Sequence, residues 1–198
     1  MEYQPGALCC WFRTVPMKPE LLILQENGFT NASWMNLDQI LLLGDKRLYE
    51  PSAEVLRNEL GSLQSAISAL HDLVIQFRAR YGKGRAIAAP QIGLMKRIIC
   101  YNVEKPVTII NPVLSEFSDE MIEVWDDCMS FPELLVRVRR HQTCTMTFRD
   151  SDWNLQVWKL ADDLSELFQH EVDHLNGILA TDRASDLRSF KLASPGRR

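Results

Sequence analysis

Residues 167–183 read LFQHEVDHLNGILATDR, and the histidines at 170 and 174 decide how the rest of the chain is read. Positions four apart lie on one face of a helix, so His170 and His174 can address a single ion. Glu171 is turned about 100° from His170, placed to reach a water on that ion without being a ligand. The division suits hydrolysis: imidazoles hold the metal, and a carboxylate takes the proton of the water. The same pattern also arises by chance on amphipathic helices, so it is a weak signal alone.

A catalytic metal of this kind needs a third protein ligand. Downstream the options close. Gly177 falls where a metzincin loop has its glycine, but Ala180 stands where that loop needs a histidine, and no glutamate follows Glu171. Upstream, His71, His141 and the cysteines are available. Cys9 and Cys10 lie in an irregular leader, while Cys100 and Cys144 lie in apolar strand runs where thiols are usually structural. Cys128 differs: in VWDDCMSFPE (124–133) it follows an acidic pair at the end of a strand run. A Cys, His, His set with one open position suits catalytic Zn²⁺, or Fe²⁺ in a reducing compartment.

Working outward, 198 residues suffice for one domain with a sizeable core. Twenty-two Lys and Arg against 26 Asp and Glu leave a net charge of −4, which argues against nucleic acid or an anionic membrane as the main partner. No apolar run approaches the ~20 residues of a membrane span. An early Glu2, with no apolar segment before a small-residue cleavage site, argues against a secretory signal. Five cysteines without framework spacing point to reduced thiols in a cytosolic or matrix-like compartment.

Residues 1–36 mix Pro, Gly, Asn and scattered aromatics and read as an irregular N-terminal extension, in which PELLILQ (19–25) would add an edge strand or a helical turn. Met35 reads as an alternative start. A single catalytic domain is expected over 37–198, with a tail from about 185. Leu56, Leu60, Leu63, Ile67, Leu70, Val74 and Phe77 recur at spacings of four and three, which predicts a helix capped by Ser52 and ended by YGKG (81–84). His71 reads as a histidine on its surface. RIICYNV (97–103), VTIINPVL (107–114) and EMIEVWDDCMSF (120–131) read as short β-rich runs, and VRVRRHQTCTMTFRD (136–150) alternates at period two as one half-exposed strand. After a DSDWN turn, LQVWKL (155–160) is another strand. A last helix, capped by Asp162 or Asp163, carries Leu164, Leu167, Phe168, Val172 and Leu175 and stops at Gly177. Helix, antiparallel strands, helix is an α+β order.

GRAIAAPQIG (84–93), DDCMS (126–130) and QHEVDH (169–174) resemble, in the same order, the three signatures of peptide deformylases. ILLLGDKRL (40–48), IINPVL (109–114) and ILATDR (178–183) agree, and the resemblance spans 37 to about 183. It implies antiparallel β-sheets around a central C-terminal metal-binding helix. It implies a metal-dependent hydrolase that removes the formyl group from the N-terminal formyl-methionine of newly made polypeptides, releasing formate. Cys128, His170 and His174 would hold the metal, typically Fe²⁺, with Zn²⁺, Ni²⁺ or Co²⁺ able to take its place. Glu171 would be the general base, and the Gln91 amide and Met129 backbone N–H would stabilise the oxyanion. The N-formyl-methionyl peptide would lie as an added strand beside Arg85, Ala86 and Ile87 and the strand ending at Asp126 and Asp127. The implied partner beyond the peptide is the ribosome near its nascent-chain exit, with no direct DNA binding and no membrane; the implied location is cytoplasmic, or an organelle matrix in a eukaryote.

The sequence departs from the family pattern at several of these positions. Ala86 stands at a usual glycine, and Asp126 and Asp127 replace a usual Glu-Gly. Asp126 is expected to pair with Arg140 or Arg139. Asp127 reads either as a solvated carboxylate at the rim or as a selector for cationic groups. Glu166 stands where bacterial members commonly carry arginine. These changes leave two further readings, an enzyme of the same fold with shifted N-acyl amide specificity and a catalytically silent metal-binding relative. Intact Glu171 and Gln91 argue against the silent relative, because a structural ion needs neither.

Overall fold

In the computed structural model, residues 35–193 are described; the leader with PELLILQ, Cys9 and Cys10 lies outside them. The first long element, α1 (Leu60–Tyr81), turns Leu63, Ile67, Leu70, Leu73, Val74 and Phe77 inward. It ends at Gly82, whose φ of 70° lets its N–H reach back to Arg78 O. The strands are β1 (Ala86–Ala88), β2 (Ile98–Asn102), β3 (Pro106–Ser115), β4 (Met121–Asp127), β5 (Leu134–His141), β6 (Thr143–Arg149), β7 (Leu155–Ala161) and β8 (Phe190–Leu192), with α2 (Asp162–Leu175) between the last two. All pairings between them are antiparallel, giving one sheet ordered β1-β2-β3-β6-β7 and another ordered β4-β5-β8. Among the described residues no helix is long and apolar enough to cross a membrane.

At β1 to β3 the larger sheet is covered on both faces, which explains the apolar runs there, whereas β7 alternates with exposed residues. Ile98 pairs with Ile110, and both join the cluster beneath α1. One step along, Ile99 pairs with Ile109, and both join the cluster beneath α2 with Phe168, Met146 and Leu175. Adjacent residues of one strand therefore serve two cores. The smaller sheet lies against the other side of α2 through β5, and Val136 and Val138 of that strand form a third cluster with Phe131 and Ala180. Enclosed this way, α2 is buried continuously from Ser165 to Leu175, and it is the central helix the sequence implied.

Several local expectations change. The first helix begins at Leu60, not at Ser52. Ser52 is buried and gives its N–H to Leu175 O at 2.9 Å. Val55 is bonded through both N and O to the Asn111 side-chain amide at 2.9 Å. Asn111, at φ 51° where β3 bulges against β6, thus acts as a short strand for residue 55 and holds that segment extended. Leu56 is consequently exposed and contributes nothing to the stripe.

The alternating run 136–150 is two strands in different sheets. Gln142 separates them, donating to Glu120 O and accepting from Asp162 N, because period-two alternation continues across a change of sheet. Neither Asp162 nor Asp163 caps α2; Ala161 occupies that position without a side-chain bond, and Asp162 at φ 51° accepts from Gln142. The residues from about 185, read as a tail, return to the smaller sheet, where Phe190 pairs with Val136. His71 faces inward enough to meet Thr108 Oγ1 at 3.1 Å.

Gly177 ends α2 at φ 71°, and a Cβ there would sit 2.5 Å from Tyr49 O. Gly82 has nearly the same φ with open space around it. Gly82→Ala should cost about 1 kcal/mol, the left-handed penalty alone. Gly177→Ala should cost at least about twice that, because the Tyr49 backbone must also move. Thermal unfolding of the two variants checks this, and equal losses would show that the Tyr49 contact is immaterial.

Candidate metal centre

Cys128 leaves the end of β4, while His170 and His174 rise one turn apart on α2. Their ligand atoms all lie within 4.8 Å of one another, and all three residues are buried. Cys128 Sγ is 3.2 Å from His174 Nε2, which is 3.1 Å from His170 Nε2. Those separations are within a few tenths of the ~3.3–3.7 Å edges of a tetrahedron built on bonds of about 2.0–2.3 Å.

The rings are prepared for an ion. His170 Nδ1 stands 2.9 Å from Asp126 Oδ1. Burial works against a charged ring, but the Asp126 carboxylate outweighs it and raises His170 well above the ordinary imidazole range, and a bound cation would take the place of that proton. Burial works against an anionic Asp126, yet His170 and Arg140 outweigh it and hold the carboxyl down at about 2. Burial and the neighbouring His170 push His174 well below the ordinary imidazole range, so it is neutral and able to ligate. Arg140 donates to Asp126 at 3.0 Å and to Asp173, and Arg183 meets Asp173 at 2.8 Å. The expected Asp126 pairing is thus with Arg140, and Arg139 is exposed. The Asp126–His170 contact was not legible in the sequence; the only signal was an acidic residue two before the candidate thiol.

Gln91 sits in the turn Ala89–Ile92. Its Oε1 accepts from Ala88 N at 2.9 Å, which aims Nε2 at Ser130 Oγ (3.2 Å) and Cys128 Sγ (3.5 Å). Ser130, unnoticed in the sequence, also turns its N–H toward Cys128 Sγ at 3.4 Å. The turn is closed by Phe131 N to Cys128 O, which leaves the Met129 N–H out of its hydrogen bonding. Glu171 is buried, and its Oε2 has no partner among the described residues. Burial lifts its carboxyl to about 7, with His170 opposing the rise.

These groups border a cavity of about 50 Å³ lined by Arg85, Ala86, Gln91, Asp126 to Met129, Glu166, His170 and Glu171, with Phe77 and Leu167 as apolar wall. It lies between β1 and β4, each the edge strand of its sheet. Arg85 and Ala86 border it, whereas the Ile87 side chain is wholly buried in the core under α1, leaving only its backbone to a ligand. Asp127 is neither fully solvated nor free, since Lys83 Nζ stands 3.1 Å from it. Glu166 is buried in the wall and paired with Arg85 at 3.3 Å; burial, with Asp126 adding to it, lifts its carboxyl to about 8.

The sequence profile of the family described as polypeptide deformylase matches residues 37–190. The chain is 32% identical over 155 residues to "Peptide deformylase 2" of Nostoc, covering 73% of this chain and 84% of the relative. To the peptide deformylase of Salinibacter ruber it is 30% identical over 165 residues, covering 75% and 85%. Among solved structures, it resembles a peptide deformylase from Legionella pneumophila with a TM-score of 0.67 at 30% identity, covering 75% of this chain and 86% of that one. The Thermotoga maritima peptide deformylase gives 0.66 at 29% identity, covering 74% and 97%.

Asp126→Asn should weaken metal binding by about 10- to 100-fold, read by competition with a chelator. The Asp126 carboxyl is held below its ordinary value of 3.8. Its contribution to stability is therefore present above that pH and is lost as the pH falls toward about 2. The stability gap between wild type and variant should shrink between pH 5 and pH 3; a gap that stays constant would mean the carboxylate is not the source.

Proposed function

The chain belongs to the polypeptide deformylase family, and from that premise we propose how its own residues carry out the family's reaction. It is a metal-dependent hydrolase that removes the formyl group from the N-terminal formyl-methionine of nascent peptides. The observation that carries the assignment of roles is the convergence of Cys128, His170 and His174 beside an unpartnered Glu171 carboxyl. We assign the metal to those three donors, and Fe²⁺ as the resident ion, a choice compatible with one thiolate and two imidazoles in a reducing cytosol or organelle matrix. When bound, the ion supplies Lewis acidity that polarises the formyl carbonyl and acidifies the attacking water.

The chain's own groups do the rest. Glu171 Oε2 takes the proton of that water and returns it to the amine nitrogen as the C–N bond breaks, a shuttle suited to a carboxyl lifted toward neutrality. The Gln91 amide and the Met129 N–H donate to the oxygen that becomes anionic, and Ala88 N holds Gln91 in position for it. The peptide backbone lies between the open edges of β1 and β4, contacting Arg85, Ala86 and the Ile87 main chain on one side and Asp126 and Asp127 on the other. Phe77, Met129 and Leu167 offer the apolar wall for the methionine side chain. Delivery of the substrate at the ribosomal exit belongs to the same reading.

Metal-loaded chain, prepared anaerobically, should release formate from formyl-Met peptides and leave acetyl-Met peptides intact. Glu171→Ala should keep one equivalent of metal while losing about 10²–10⁴-fold in kcat, and Gln91→Ala should lose about 10²–10³-fold. Formate assays with parallel metal analysis decide it. Near-normal turnover by Glu171→Ala would remove that residue from its role.

A further inference from the structure

Away from the metal pocket, Gln169, Val172 and Asp173 of α2, with Asn176 just past its end, face a cleft of about 470 Å³. Its walls carry Arg97, Arg139, Arg140 and Arg183 against a single carboxylate, Asp173, in a chain whose net charge is −4. Asp173 is engaged by Arg140 and Arg183. Arg97 is half-buried and donates only to neutral acceptors: Asn176 Oδ1 at 2.8 Å and the carbonyls of Leu175 and Pro112. Burial holds its guanidinium below the ordinary range, with the nearby Glu54 carboxylate only partly opposing the fall. Arg139 stands exposed and makes none of the ion pairs among the described residues. The buried Arg140 Nε has no acceptor among them either.

Beside these cations the wall is apolar, with Val113 59% and Phe117 45% exposed. A partly desolvated cation with no carboxylate in hydrogen-bonding contact is costly, and a carboxylate from outside would relieve that cost. The volume falls in the ~300–1,000 Å³ range of small-molecule sites. We propose that this cleft binds a small amphiphilic carboxylate, its head group toward Arg97 and Arg139 and its apolar body on Val113 and Phe117. The inference does not depend on the deformylase assignment, because none of these residues borders the metal pocket.

The test is calorimetric titration of the metal-loaded full chain with decanoate, with decanol and acetate as controls for charge and apolar body. Decanoate should bind one to one, and decanol and acetate at least about tenfold more weakly, the scale of one charge-assisted contact. Arg139→Glu and Val113→Asp, both at exposed side chains, should each weaken decanoate by about tenfold or more while leaving the metal content and thermal unfolding unchanged. Absence of saturable binding, or binding that both variants retain within twofold, would overturn the proposal. So would decanoate that excess acetate displaces and that ignores both substitutions, since that would place it on the metal.

Discussion

Burying α2 on every side forces its polar groups to find partners, and the rest of the structure follows from how they do. Ser165, Glu166, Gln169, His170, Glu171, Asp173 and His174 are all removed from solvent in one short stretch. A buried polar group costs on the order of 1–3 kcal/mol if left unbonded, and an unpaired charge more. Most are satisfied by the chain itself. Ser165 and Gln169 bond the His141 backbone at the end of β5, Glu166 meets Arg85, and Asp173 meets Arg140 and Arg183. Those bonds tie the helix to both sheets and set its rotation.

The exceptions are the chemistry. Glu171 Oε2 has no partner among the described residues, and the Nε2 atoms of His170 and His174 face each other and a sulfur. An apolar helix of the same shape would be easier to bury. What this arrangement provides is a His170 ring whose orientation is set by Asp126 and Arg140, while His174 Nδ1 has no partner among the described residues. Arg140 lies at the junction of two demands: it compensates the carboxylate that orients His170, and it neutralises Asp173 between the two histidines. Glu166 adds a burden to the same helix, a buried carboxyl lifted to about 8 and only partly relieved by Arg85.

Sequence patterns carried a good deal of this. The leucine stripe of α1, the β-runs and the final helix are visible as periodicities because each is decided by neighbours a few residues away. The HEVDH face is legible for the same reason, since a helix alone brings His170 and His174 together. Cys128 emerged by elimination and by resemblance, and Gln91 by resemblance only. Local pattern misled where a distant partner intervened. Ser52 looks like a helix cap, but Leu175 and Asn111 claim its neighbourhood. Run 136–150 looks like one strand, but its halves join different sheets.

The sequence by itself therefore determined the α+β class, the final helix and the spacing that puts His170 and His174 on one face of it, all properties of short segments or of residue type. Only the folded chain decided that Asp126 would stand against the His170 ring, that Ser130 would face the Cys128 sulfur, and that four arginines would gather on the far stripe of α2. Each of those depends on residues tens of positions apart meeting in a place with no water to substitute for a partner, and no periodicity within one segment encodes such a meeting.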